Sequence, residues 1–449
     1  MAEKIRIEGV INKTISYSMH QNGIYALKTI RISNLTEEEW EGLRVIVSFT
    51  PDYAETLELS VMKLSGYENV EIKNPVAVVK ADYFVSMTEK ETGTVKIEVY
   101  HAKELLGSMV QDIELLPYGQ WSGMIYMPEL LCSFVMPNHP SVTTLLSSAS
   151  KWLETWKSDP SILGYSKQDP NDVKMQVAAV YEAMRQEQIA YSLPPVSYES
   201  VGQKIRTPDE VLGQKFATCL DLTVLYASVL EAMRLNPLII LKNDHAFIGC
   251  WLEEKTFAEC IQEDISAIHK RIAEGIDELI LVECTSLVAG SQTSFEESVK
   301  IAKNSLLKEE EFKMAIDVAR CRGSNIRPMP ARVMEEGTYR LVEYKSNDVP
   351  VNAPEALSTA GRGAVVEENQ MTKQKLWERK LLDLSLRNML LNFRVTKNCV
   401  QLMVNDPAQL EDALSHGDDF AVFPIPQEST LTPGQDKIYV LSESDCRIP

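Results

Sequence analysis

Three short stretches limit what this chain can fold into more than any other feature: Lys215-Phe216-Ala217-Thr218-Cys219-Leu220-Asp221-Leu222-Thr223, then Asp244-His245-Ala246-Phe247, then Leu281-Val282-Glu283-Cys284-Thr285. The first sets a cysteine where a helix starts. Leu222, Leu225, Tyr226, Val229, Ala232 and Met233 recur at helical spacing, so the helix would bury one side and run to about Arg234, where Asn236-Pro237 ends it. The second puts a histidine before an apolar strand, and the third puts a carboxylate inside another. A thiol at a helix start, an imidazole and a carboxylate are the parts that make a thiolate, keep it ionised and orient its base.

Each residue has a functional and a structural reading. Thr218 is placed to cap the helix, leaving Cys219 in the first turn beside backbone donors that also suit a developing oxyanion. The competing reading makes Cys219 a buried apolar filler. His245 at the mouth of a strand can project toward a cleft as a general base, or serve as a satisfied structural histidine. Glu283 in an apolar run is costly to bury unless paired, and orienting His245 would resolve that cost. Period-two alternation placing Glu283 on a wet face is the alternative. Gln214 and Gln203 are weaker candidates for oxyanion or substrate contacts, since such glutamines are more often surface or capping residues.

With 449 residues the chain is too long for one ordinary core and suggests two to four domains. A hydrophobic content of 45% excludes wholesale disorder. There is no 18-residue apolar run and no signal-peptide pattern at the start, so a soluble cytoplasmic protein with no membrane contact is expected. The eight cysteines are not spaced as a secreted disulfide scaffold and include no CxxC pair. Cys250, Cys260 and Cys284 with His245 or His269 imitate a metal cluster only superficially, because the spacing fits no zinc ribbon or finger. No metal and no cofactor are expected.

A formal charge of -19 repels nucleic acid from the chain as a whole. Residues 371–397 reverse that locally: Lys373, Lys375, Arg379, Lys380, Arg387, Arg394 and Lys397 stand against Glu378 and Asp383. That excess is either a DNA-contact surface or a solvated helix face.

The fold class expected is α+β. Residues 1–120 read as an antiparallel β-sandwich, with β-rich runs at 24–32, 43–49, 56–62 and 94–100, the last alternating strictly. Residues 125–345 are mixed. Helices are expected over 141–156, 171–188, 295–306 and 310–322, and strands over 238–241, 246–251 and 279–284. Thr207-Pro208-Asp209-Glu210 is a helix start with cap, N1 proline and N3 glutamate. Residues 346–370 make a linker, and 371–449 a partly helical C-terminal fragment with an amphipathic helix at 374–394.

At Cys219 with its aliphatic helix, at His245-Ala246-Phe247 and at Glu283-Cys284-Thr285, the sequence resembles the transglutaminase-like cysteine superfamily, whose papain-like core also serves proteases and amidases. The family acid is usually aspartate, and a glycine often precedes the nucleophile; Glu283 and Thr218 depart from both. Residues 203–212, 316–320 and 326–330 further resemble the N-terminal module of large bacterial multidomain proteins related to superfamily 1 DNA helicases. Residues 377–393 are similar to the opening of a helical region of unknown function that follows the module. The resemblance covers roughly 190–400 and the β region poorly.

That resemblance implies a papain-like second domain and cysteine-dependent amide hydrolysis, or transamidation, on a peptide or protein substrate. It also implies a helicase or nuclease downstream or as a separate partner, and service in DNA processing or defence. The chain has no GxxxxGK[ST] phosphate loop, so ATP hydrolysis within it is not expected. The rival expectation is a non-catalytic protein- or nucleic-acid-binding module.

Overall fold

The computed structural model describes residues 4–195, 202–335, 338–341, and the strands Gln401–Met403, Ala421–Pro424 and Lys437–Leu441. The expected linker, the 374–394 helix and the basic stretch 371–397 lie outside the described residues. The chain divides into two compact units, Met1–Asn347 and Asp348–Pro449. In the second, the three short strands form one sheet with Lys437–Leu441 in the middle. No helix among the described residues is long and apolar enough to cross a membrane.

The first unit is α+β, with mixed sheets and helices. Its N-terminal part holds a three-stranded sheet (Ile5–Ile11, Leu27–Asn34, Asn69–Lys73) and a five-stranded sheet built on Trp40–Thr50, Leu57–Leu64, Glu91–His101 and Glu104–Leu115. The fifth member, Thr14–Ile15, pairs parallel with Glu104–Leu115; the other pairings are antiparallel. Strict alternation in Glu91–His101 turns Val95, Ile97 and Val99 inward. There they meet Ile30 and Ile32 from the smaller sheet and Leu43, Val45 and Val47 from their own. Four of these strands (Ile5–Ile11, Thr14–Ile15, Asn69–Lys73 and Glu104–Leu115) were not foreseen in the sequence.

The second part is organised by a five-stranded antiparallel sheet in the order Ile261–Gln262, Phe312–Asp317, Pro237–Lys242, His245–Trp251, Leu279–Val282. Its strands read as unbroken apolar runs because both faces are covered. Ile239, Leu241, Ala246, Ile248, Cys250, Ile280 and Val282 join the core around the Cys219 helix. Leu238, Ile240, Phe247, Trp251, Leu279 and Leu281 pack beneath Ile265–Ile272 and Phe295–Ser305. Each buried large aliphatic or aromatic side chain on these two faces stabilises the second part by roughly 1.5–3 kcal/mol.

Two expectations are corrected here. Residues 310–322 were expected as one helix; they form a short 3-10 turn, the strand Phe312–Asp317 and the helix Val318–Gly323. The apolar run Phe312 to Ile316 is short enough to suit either period, and pairing with Pro237–Lys242 decides for the strand. The helix Cys219–Ala232 was expected to bury one side, yet every residue from Cys219 to Leu230 is buried. The sheet takes one face, and the helices Pro140–Lys157 and Pro170–Gln186 take the rest.

The two parts share contacts. Met19 and Val85 from the β-rich part sit in the core of the second. Asn22 bonds Ser133 Oγ and accepts from Arg327 N, and Arg332 donates to the Val85 carbonyl at 3.1 Å.

Candidate functional site

Cys219 is the first residue of its helix, and the cap before it is double. Asp221 N donates to Thr218 Oγ1 at 3.2 Å, and Thr218 N donates back to Asp221 Oδ2 at 2.9 Å. Asp221 is fully buried, and burial pushes its carboxyl up. Arg206 answers that cost with its guanidinium and its backbone N–H, both 2.8 Å from the carboxylate. Breaking a buried pair of this kind costs about 3–5 kcal/mol, so the start of the helix is held firmly. Sequence reading identified Thr218 but gave Asp221 no role; the Thr218-x-x-Asp221 spacing was the available signal.

A two-residue turn delivers His245. Lys242 pairs with His245 across Asn243-Asp244, and Asp244 adopts φ +52°, a left-handed conformation that aspartate tolerates. The hairpin is pinned where Asn243 N donates to the Glu311 carbonyl at 2.8 Å. The imidazole is 26% exposed.

Glu283 comes directly after the strand Leu279–Val282, not inside a strand as expected, and caps the 3-10 turn Cys284–Leu287. Its side chain is buried. Oε1 accepts from Thr285 N at 2.9 Å and from Thr285 Oγ1 at 2.7 Å, while Oε2 lies 2.8 Å from His245 Nε2. Burial alone would push this carboxyl up, but His245 and Thr285 together hold it below the ordinary carboxylate range.

With Nε2 taken by Glu283, Nδ1 is the ring nitrogen left for the sulfur, and the imidazole shares a hydrogen bond with the Cys219 side chain. Burial works against a charged ring here. The bonds to Cys219 and Glu283 and the charge of both override it and lift His245 to about 10. The structure therefore gathers Cys219, His245 and Glu283 into one hydrogen-bonded cluster. Cys219 itself is 0% exposed.

The two glutamines separate. Gln214 is exposed at the end of the helix Pro208–Gln214 and makes no hydrogen bond to the cluster among the described residues. Gln203 is buried beside the cap, where its amide nitrogen donates to Thr218 Oγ1 at 3.3 Å and its Oε1 has no partner. Tyr191, which sequence reading missed, hydrogen-bonds the Cys219 side chain. A two-residue strand before a proline pair offers no periodic signal for it.

No group of three or more potential metal ligands occurs among the described residues. A cleft of about 530 Å³ lined by Lys13, Lys28, Lys90, Trp121 and Tyr126 lies elsewhere, and none of the three cluster residues lines it. Two of the other buried thiols of this core, Cys250 and Cys284, are pushed well up by burial, so neither is ionised at neutral pH.

Residues 380–445 match a family model described as a protein of unknown function, DUF4011. The match begins within the 377–393 stretch singled out above. No curated protein matches the chain.

Proposed function

We propose that the chain carries a transglutaminase-like cysteine hydrolase with a papain-like core, a peptidase or amidase, acting within a helicase-associated DNA-processing or defence protein. One observation carries the reading: a single imidazole joins a carboxylate 2.8 Å away to a thiol in the first turn of a buried helix. The helix start and the imidazolium both favour the thiolate. Cys219 attacks an amide carbonyl, His245 protonates the departing amine, and water, or an acceptor amine in transamidation, releases the acyl group. Glu283 holds the ring with Nδ1 toward the sulfur and stabilises its charge. The DNA-processing setting is supported by sequence resemblance alone.

The complete burial of Cys219 favours the second reading, a binding module that keeps the cluster as a structural relic. Iodoacetamide labelling across pH, read cysteine by cysteine by mass spectrometry, separates the two. Hydrolase chemistry requires selective labelling of Cys219 near neutral pH, suppressed in His245→Ala. Uniform labelling of the eight cysteines, or labelling unchanged by His245→Ala, sinks the hydrolase.

A further inference from the structure

The Cys219 sulfur has a second polar neighbour besides the imidazole. Tyr191 ends the strand Ala190–Tyr191, which runs parallel to Phe216–Ala217 with Tyr191 in register with Ala217, two residues before the sulfur. Three backbone bonds fix it there, each 2.8 Å: Ala190 N to the Lys215 carbonyl, Ser192 N to the Ala217 carbonyl, and Ala289 N to the Ile189 carbonyl. The ring packs at the edge of the core that contains Cys219, and the residue is half-buried. These bonds fix the backbone at Tyr191, from which the phenol reaches the Cys219 side chain.

We propose that Tyr191 is a catalytic hydroxyl that donates a hydrogen bond to the oxyanion formed when Cys219 attacks a carbonyl; this inference rests on the acyl-transfer reading above. Neither glutamine is placed on the sulfur: Gln214 is exposed, and Gln203 sits beside the helix cap, where one of its two amide N–H groups is given to Thr218 Oγ1. Burial first, and then the neighbouring Cys219, raise the Tyr191 hydroxyl to about 12, so it keeps its proton and remains a donor at neutral pH.

The step balances without a further reagent. The sulfur lone pair forms the C–S bond, and the carbonyl π pair moves to oxygen. That oxygen is then separated from sulfur by one carbon, within reach of a donor already placed on the sulfur. The Tyr191 O–H shifts its hydrogen bond from sulfur to oxygen without giving up the proton. Collapse returns the pair to the carbonyl and expels the leaving group, which His245 protonates when it is an amine. A donor that gains strength only as charge develops on oxygen lowers the barrier instead of tightening substrate binding.

Tyr191→Phe removes one oxygen and keeps the ring, so the fold is retained, as the denaturation midpoint will verify. Two small probes then read different chemistry at Cys219 in the full chain. p-Nitrophenyl acetate acylates the sulfur through an oxyanion and releases p-nitrophenolate. Iodoacetamide alkylates it by displacing iodide, with no oxyanion. Tyr191→Phe should slow acylation about 100-fold and change alkylation, which senses only the bond lost from the sulfur, far less. Equal acylation in both proteins overturns the assignment. So does an equal loss in both reactions, the mark of a structural or thiolate-supporting role, and so does a gain in both, the mark of a cover over the sulfur. If wild-type Cys219 is alkylated no faster than the other thiols, the acyl-transfer reading has failed and this assignment falls with it.

Discussion

Glu283 and Asp317 are the same device used at two places on one sheet. Glu283 directly follows the edge strand Leu279–Val282, and Asp317 ends the inner strand Phe312–Asp317. Each is buried, and each caps the short helix that comes next. Their acidities diverge. Asp317 is ringed by neutral donors, Phe257 N at 2.8 Å, Arg320 N at 3.0 Å and Trp251 Nε1 at 3.1 Å; burial dominates and its carboxyl is pushed up. Glu283 has the same kind of cap but also faces His245, and its carboxyl is held down. Capping bonds alone leave Asp317 pushed up, whereas Glu283, with the His245 ring 2.8 Å away as well, is held down. Deeper burial keeps Asp221 pushed up even with the Arg206 guanidinium at 2.8 Å, so the outcome is a balance of burial against charge.

The largest expected effect breaks the Glu283 end outright. His245→Ala should lower acylation of Cys219 by p-nitrophenyl acetate on the order of 10⁶-fold, the loss typical of removing a base from such a unit. Glu283→Gln keeps the size of the side chain and removes its charge, and should cost about 10⁴-fold. Its pH profile sharpens the point. Hydrolysis of an anilide needs His245 protonated, so the wild-type alkaline limb should fall near pH 10. In Glu283→Gln that limb should move toward the ordinary histidine range near 6.5. A limb that stays in place would detach Glu283 from the ring.

The two buried carboxylates should make stability titrate in opposite directions. Lifting His245 to about 10 gives stabilisation that is complete below its unfolded pKa and lost as pH rises through about 10. The depressed Glu283 contributes above its unfolded pKa and loses that contribution as pH falls through its lower folded value. Asp317, pushed up, behaves in reverse: it favours the fold below its unfolded pKa, and that favour is lost as pH rises through the folded value. Asp317→Ala strands the Trp251, Phe257 and Arg320 donors and should cost about 3 kcal/mol in urea denaturation. Acylation per folded molecule should be unaffected. A loss of activity matching Glu283→Gln would erase the distinction between the ends.

The sequence made the Glu283 end more legible than the Asp317 end for a physical reason. Cys219 and His245 stand where apolar patterns begin and Glu283 breaks into one, and a polar residue at such a boundary demands a partner. Asp317 closes a run whose length fits strand and helix equally, so the strand Phe312–Asp317 was read as helix and its cap went unseen. Ile5–Ile11 escaped although Ile5-Arg6-Ile7-Glu8 alternates, because Gly9-Val10 breaks the alternation before Ile11 and leaves a run too short to stand out without its pairing partner Leu27–Asn34. Arg206 and Tyr191 reach the site across the chain, through the buried Asp221 and through strand pairing, neither of which local spacing encodes.

The two glutamines supply the smallest effects and the finest division. Gln203 donates to the threonine that caps the Cys219 helix and leaves its own oxygen buried without a partner. Gln203→Ala therefore removes one long bond and one unsatisfied acceptor together, two losses of opposite sign, and should destabilise by about 1 kcal/mol or less. Any fall in acylation should then track the cap and be matched by the fall in Cys219 alkylation. Gln214 is five residues from the nucleophile in sequence but exposed at a helix end. Gln214→Ala should leave stability within about 0.5 kcal/mol and both probe reactions unchanged. A selective loss of acylation in Gln214→Ala would mean that the oxyanion donor comes from this helix end, displacing Tyr191 from that role.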